Sequence, residues 1–178
     1  MSNNKLKLDE LNRLTIEEFK QNQKHPVIVV LDNVRSLNNV GSFFRTCDAF
    51  NVETLVLTGI TATPPHREIQ KTALGATQTV HWIYENSSID IVKKFKNEGY
   101  HICSIEQAEK TTLLQDFKII KNQKTVFIFG NEVDGVDQSI IEISDEVIEI
   151  PQFGTKHSLN VAVTGGAVLW EVTKQLIS

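Results

Sequence analysis

Three polar clusters in this chain carry residue types that can grip phosphate, move a proton or cradle a ligand. They are DNVRSLNNVGSFFRTCDAF at 32–50, FGNEVDG at 129–135 and IPQFGTKHSLN at 150–160. In the first, Arg45 stands beside Phe43 and Phe44. A guanidinium at the edge of an apolar cleft can hold a phosphate through two parallel hydrogen bonds. A surface ion pair with Asp48 is the competing reading. In the second, Gly130 permits close backbone approach, and Glu132 places a carboxylate just past an apolar run. In the third, Lys156 offers a cation, His157 a titratable ring and Ser158 a hydroxyl able to cap a following helix. The GxxxxGK[ST] phosphate loop is absent, and no GxGxxG follows the first strand. The acids of 132–149 show no metal-ligand spacing, and no Ser-His-Asp arrangement can be defended.

Positioning these clusters requires a scaffold, and the hydrophobic pattern supplies one. Apolar runs at 27–31, 54–57, 79–84, 100–105, 126–129 and 147–150 read as strands. Helical spacing appears at 8–23 (Leu8, Leu11, Leu14, Phe19), 39–50, 67–74, 89–97 and 159–176, with Asn38 or Asn39 capping the second of these. Strands alternating with helices imply an α/β fold: a mostly parallel sheet with helices on both faces. In such sheets ligands bind beyond the carboxyl ends of the strands. The second and third clusters follow strands there, and the third leads straight into the last helix. Gly165 and Gly166 lie inside that helix at a cost of about 1 kcal/mol each against Ala, which points to close approach of another backbone.

Composition narrows the class. A chain of 178 residues with 40% hydrophobic and 22% charged residues is read as one domain with an ordinary core. No apolar run approaches the roughly 18 residues of a membrane helix, and 1–14 lacks a signal-peptide core, so a cytoplasmic location is expected. Cys47 and Cys103 read as buried reduced thiols. The formal charge of -4 argues against a strong general nucleic-acid binder. The acid is unevenly spread, however. Residues 125–155 hold 7 Asp and Glu and no Lys or Arg, leaving 18 basic against 15 acidic residues elsewhere, a balance of +3.

Taken in order, NNVGSFFRTCDAF (38–50), FIFGNEVDGV (127–136) and IPQFGTKHSLNVAVTGGAVLWE (150–171) resemble the three motifs of the SpoU (TrmH-type) RNA 2′-O-methyltransferases of the SPOUT superfamily. The likeness runs from Val27 to the C-terminus, and the third motif resembles the branch that methylates guanosine 18 of eukaryotic tRNA. The resemblance implies a catalytic domain over 26–178 behind a helical extension at 1–25. It implies a C-terminal deep trefoil knot, which periodicity cannot show, and a homodimer whose site borrows residues across the interface. S-adenosylmethionine is then expected on backbone groups at Ile105, Gly130, Ile150 and Leu159. By the same carry-over Arg45 activates the ribose hydroxyl and Asn39 lies near the substrate, while Glu132, Ser158 and Asn160 shape the site. Arg35, Arg67, Lys71, Lys156 and His157 become the RNA-facing cations. The implied reaction is methyl transfer to an RNA ribose, with tRNA favoured and a D-loop guanosine the best single target. The implied protein uses no metal and no membrane. A ribosomal RNA enzyme, a non-catalytic RNA-binding relative and a generic nucleotide-handling domain are the alternatives.

Overall fold

The computed structural model describes residues 4–120 and 122–178, apart from the side chains of residues 8 and 9. Its centre is a seven-stranded sheet in which every ladder is parallel. The strands are β1 (His25–Asp32), β2 (Val52–Thr58), β3 (Trp82–Glu85), β4 (His101–Ile105), β5 (Thr112–Leu113), β6 (Thr125–Phe129) and β7 (Glu146–Glu149). Their spatial order is β3-β2-β1-β6-β4-β7-β5. Strands covered on both faces need apolar side chains on both, so they read as continuous apolar runs rather than alternations. β1 shows this: Val27, Val29 and Leu31 enter one core cluster, while Ile28 and Val30 enter the other.

The helices fill the two faces. α2 (Leu37–Ala49), α3 (Arg67–Ala73) and α6 (Val161–Leu176) cover the first cluster with Phe43, Phe44, Ile69, Val168 and Leu169. α4 (Ser88–Asn97) and α5 (Gln138–Ile143) cover the second with Ile91, Val92, Phe95 and Ile140. The expected α/β architecture is therefore the observed one.

Several local expectations need correction. The helix expected over 8–23 is a 3-10 turn at Leu8–Leu11 and a short α1 at Ile16–Gln21. Asn12 takes a left-handed conformation that ends the turn, and Thr15 starts a new helix through a capping box with Glu18. Leu11 and Leu14 are exposed, so their helical spacing has no face to bury. α2 is capped by Ser36, not Asn38 or Asn39, because the Ser36 Oγ accepts from the Asn39 N–H at 3.3 Å. α6 is capped by Asn160, not Ser158: its Oδ1 accepts from Ala162 N at 2.9 Å and Val163 N at 3.3 Å. The strand expected over 79–84 is confined to β3, preceded by a 3-10 turn at Ala76–Gln78. Of the two helix glycines only Gly165 is tightly packed. A Cβ there would overlap the Phe43 ring, whereas one on Gly166 would meet open space.

Candidate active site

The carboxyl ends of β4, β6 and β7 converge on a cavity of about 510 Å³, within the range of small-molecule sites. Ile105, Gly130, Ile150 and Leu159, the four positions expected to meet a cofactor, all line it. So do Glu132, Ser158 and Asn160. Each loop gets its shape from local chemistry. A Cβ on Gly130 would overlap the backbone of Gly135, so only glycine lets the β6–α5 loop fold back on its own strand end. Asn131 closes that loop: its backbone pairs with Gly135, and its Oδ1 accepts from the N–H groups of Val133 and Asp134 at 2.8 Å each. From the far side, the buried Asp32 carboxylate accepts from Ser88 Oγ at 2.5 Å, Asn33 Nδ2 at 2.9 Å and Asp137 N at 2.9 Å. The start of α4 and the end of the β6–α5 loop are thereby tied to the end of β1.

The three polar clusters meet in one hydrogen-bonded chain. Glu132 accepts from Asn39 Nδ2 at 2.8 Å, Ser36 N at 3.2 Å and Arg35 N at 3.1 Å. Asn39 Oδ1 in turn accepts from Asn160 Nδ2 at 3.2 Å. Glu132 thus serves as an anionic brace on the N-terminus of α2, where the helix dipole favours negative charge. Partial burial opposes its ionisation. The bonds from Asn39 and from the Arg35 and Ser36 backbone outweigh that and hold the carboxyl below its ordinary range. With both oxygens engaged and its proton affinity lowered, it is suited to positioning rather than to proton abstraction.

Arg45 is placed differently. It is exposed, it does not line the cavity, and among the described residues no carboxylate lies within ion-pair distance of it. Asp48, its alternative partner, instead accepts from Thr79 Oγ1. Arg45 follows Asn39 by six residues, about 9 Å along α2 and about 120° round it by the shorter way, so the two do not share one side of the helix.

The expected RNA-facing cations divide into two groups. Arg35 pairs with Asp134 at 3.6 Å on the cavity rim, His157 lines the cavity, and Lys156 is exposed beside it. Arg67 and Lys71 are exposed on α3, where Lys71 pairs with Glu68 at 3.5 Å. Glu106 and Gln107 also line the cavity, and sequence reading passed over both. The signal was available, since they directly follow the β4 run as Glu132 follows the β6 run.

One His/Cys/Glu group able to face a metal ion occurs among the described residues: His101, Cys103 and Glu146, with ligand atoms within 4.8 Å of one another. It lies at the start of β4 and β7, the opposite end of the strands from the cavity, and its ligand atoms are joined by a 3.3 Å contact between His101 Nε2 and Glu146. Cys47 and Cys103 are free and buried. Burial, with Asp48 acting on Cys47 and Glu146 and Asp145 on Cys103, pushes both thiols up. Among the described residues no helix is long and apolar enough to cross a membrane.

A parallel α/β domain whose ligand cavity is built from strand-end loops and braced by a Glu132–Asn39–Asn160 interlock defines the class. The sequence profile of the SpoU rRNA Methylase family matches residues 26–170, and the chain belongs to that family. It is 32% identical to the tRNA (guanosine(18)-2'-O)-methyltransferase of Aquifex aeolicus over 90% of this chain and 74% of that one. It is 27% identical to the 23S rRNA (guanosine-2'-O-)-methyltransferase RlmB of Neisseria meningitidis, over 93% of this chain and 66% of the relative. Among solved structures, the AdoMet-bound rRNA methyltransferase of Sinorhizobium meliloti superposes with a TM-score of 0.80 at 25% identity, covering 90% of this chain and 61% of that one.

Proposed function

We propose that the protein transfers a methyl group from S-adenosylmethionine to a ribose 2′-hydroxyl of RNA, with tRNA the favoured substrate and a D-loop guanosine the favoured target. The observation that carries this reading is the cavity itself, where all four backbone positions expected to meet the cofactor meet one another. The residues fit the group: apolar Ile105, Ile150 and Leu159 line the cavity together with the polar Glu106, Gln107 and Asn131. The cofactor supplies a methyl group already activated on a sulfonium. The chain therefore needs to position more than to activate.

In this reading Glu132, Asn39 and Asn160 hold the two helix starts against the cavity. Ser158 shapes its edge. Arg45 grips the phosphate next to the target ribose and polarises the hydroxyl. The chain supplies no metal to this step. Arg35, Lys156 and His157 meet RNA at the rim, and Arg67 and Lys71 extend that surface.

Arg45 is exposed and does not line the cavity of its own chain, which supports a homodimer in which a second copy completes the site. α6 offers the surface: Val163 is 60% exposed, Trp170 55% and Ile177 66%, a helical stripe with the open Gly166 beside it. Two features support the C-terminal knot. β6 threads between β1 and β4, and after β7 the chain must return across the sheet for α6 to pack on α2. Residues 26–178 are read as the catalytic domain and 1–25 as an N-terminal helical extension. The protein is taken to work in the cytoplasm.

The name of the family and the Neisseria relative favour ribosomal RNA as a second substrate class. The deciding experiment measures label transfer from radioactive S-adenosylmethionine into purified tRNA and ribosomal RNA, with wild type and Arg45→Ala. Arg45-dependent label in tRNA is the expected result. Label confined to ribosomal RNA would move the substrate, and label in neither pool would sink the enzymatic reading.

A further inference from the structure

The β7–α6 loop is the least anchored wall of the cavity. Residues 153–159 are all exposed, and Phe153 is 96% exposed. Such a segment buries little and has few partners, so it opens locally at low free-energy cost. Among the described residues, one hydrogen bond ties 152–159 to the rest of the protein: Gln107 Nε2 donates to the His157 carbonyl at 3.1 Å. Gln107 itself stands on firm ground. Its backbone N–H donates to Glu106 Oε1 at 2.8 Å, and Glu106 Oε2 accepts from Val136 N at 3.1 Å. A Cβ on Gly135 would overlap that same carboxylate, so the β6–α5 loop packs directly on Glu106. Consecutive residues at the end of β4 thus grip two cavity walls, one rigid and one loose. Gln107, His157, Ser158 and Leu159 line the same space.

We infer that Gln107 is a positioning residue that latches the β7–α6 loop over the bound S-adenosylmethionine and so sets how long the cofactor stays. This rests on the function proposed above. The loop carries Leu159 and borders Ile150, two of the expected cofactor contacts. Loss of the latch frees that wall without touching the Asn39–Glu132–Asn160 brace or the sheet.

The test uses the full chain with Gln107→Glu, which keeps the side chain's size and removes the donor, and Gln107→Ala. Hydrogen exchange of peptides within 152–159 is followed without cofactor. The equilibrium and dissociation rate constants for S-adenosylmethionine are then measured by calorimetry and stopped flow, alongside the melting temperature. A net hydrogen bond of the usual size corresponds to a change of about fivefold in an equilibrium. Both variants are expected to exchange about fivefold faster in this loop alone, and to release cofactor about fivefold faster with unchanged association rate and melting temperature. Unchanged loop exchange would overturn the latch. Faster exchange with unaltered cofactor release would overturn its link to occupancy. Failure of the wild type to bind S-adenosylmethionine would overturn the functional reading beneath it, which the exchange data distinguish because they need no cofactor.

Discussion

Asn39→Asp is the sharpest single test of how the site is braced. The change is nearly isosteric, but it replaces the Nδ2 donor, 2.8 Å from Glu132 Oε1, with an acceptor oxygen. Two carboxylates then face each other where one amide–carboxylate bond stood. At about 3 Å and an effective dielectric of about 20, their repulsion has an upper bound of about 5 kcal/mol. Glu132 is largely exposed, so solvent screening brings the expected destabilisation at pH 7 to about 1–3 kcal/mol.

The sign with pH separates this from a simple lost contact. In the wild type the Glu132 carboxyl is held below its ordinary range, so its contribution is full above the unfolded carboxylate pKa and is lost as pH falls through the folded one. In the variant the pair shares a proton and one folded pKa is raised. The variant is therefore weakest at pH 8 and recovers stability as pH falls toward about 5, near the unfolded carboxylate range. Urea unfolding at pH 5, 6, 7 and 8, with Asn39→Ala as the pH-independent control, reads this directly. A flat difference between Asn39→Asp and wild type across that range would refute the contact as the brace of the site.

Further outcomes follow from packing and burial. Gly165→Ala should destabilise by about 1–3 kcal/mol, because its methyl group meets the Phe43 ring. Gly166→Ala, facing open space, should stabilise the folded chain by up to about 1 kcal/mol; thermal unfolding of the pair checks the opposite signs. Neither Cys47 nor Cys103 should react with an aromatic disulfide reagent at pH 8 until denaturant is added, since both thiols are buried and pushed up. Trp170→Asp, at an exposed position on α6, should turn the proposed dimer into a monomer in sedimentation velocity and abolish methyl transfer, while leaving the circular dichroism spectrum unchanged.

The sheet was legible because burial on both faces turns strands into apolar runs, and β1, β6 and the covering of both faces by helices followed from that. α5 was missed because Ile140, Ile141 and Ile143 occupy one short helix inside an acid-rich stretch. β5 was missed because two residues carry no period; it is defined by pairing with β7. Both cap errors came from crowding: Ser36, Asn38 and Asn39 compete at one helix start, and Ser158 and Asn160 at the other, all good cap residues. The expected cofactor positions did gather around one cavity, yet the interlock that braces it joins residues 93 and 121 positions apart. No local pattern encodes such a pairing. Nor does any local pattern say that Arg45 stays out of the lining of its own cavity, since that depends on the rotation of α2 against the sheet.

The place of β6 in the sheet has a consequence for how the protein is made. β1 and β4 are not neighbours; both pair with β6, which begins at Thr125. Until the ribosome has released that strand, β3-β2-β1 ends in a bare β1 edge and β4 has no partner on that side. Exposed parallel edges of this kind are templates for pairing with other chains. A nascent chain halted between β4 and β6 is therefore sticky on two fronts, and adding one five-residue strand closes both. Translation pauses in that interval should raise aggregation more than pauses after β7, the partner on the other edge of β4, has also emerged.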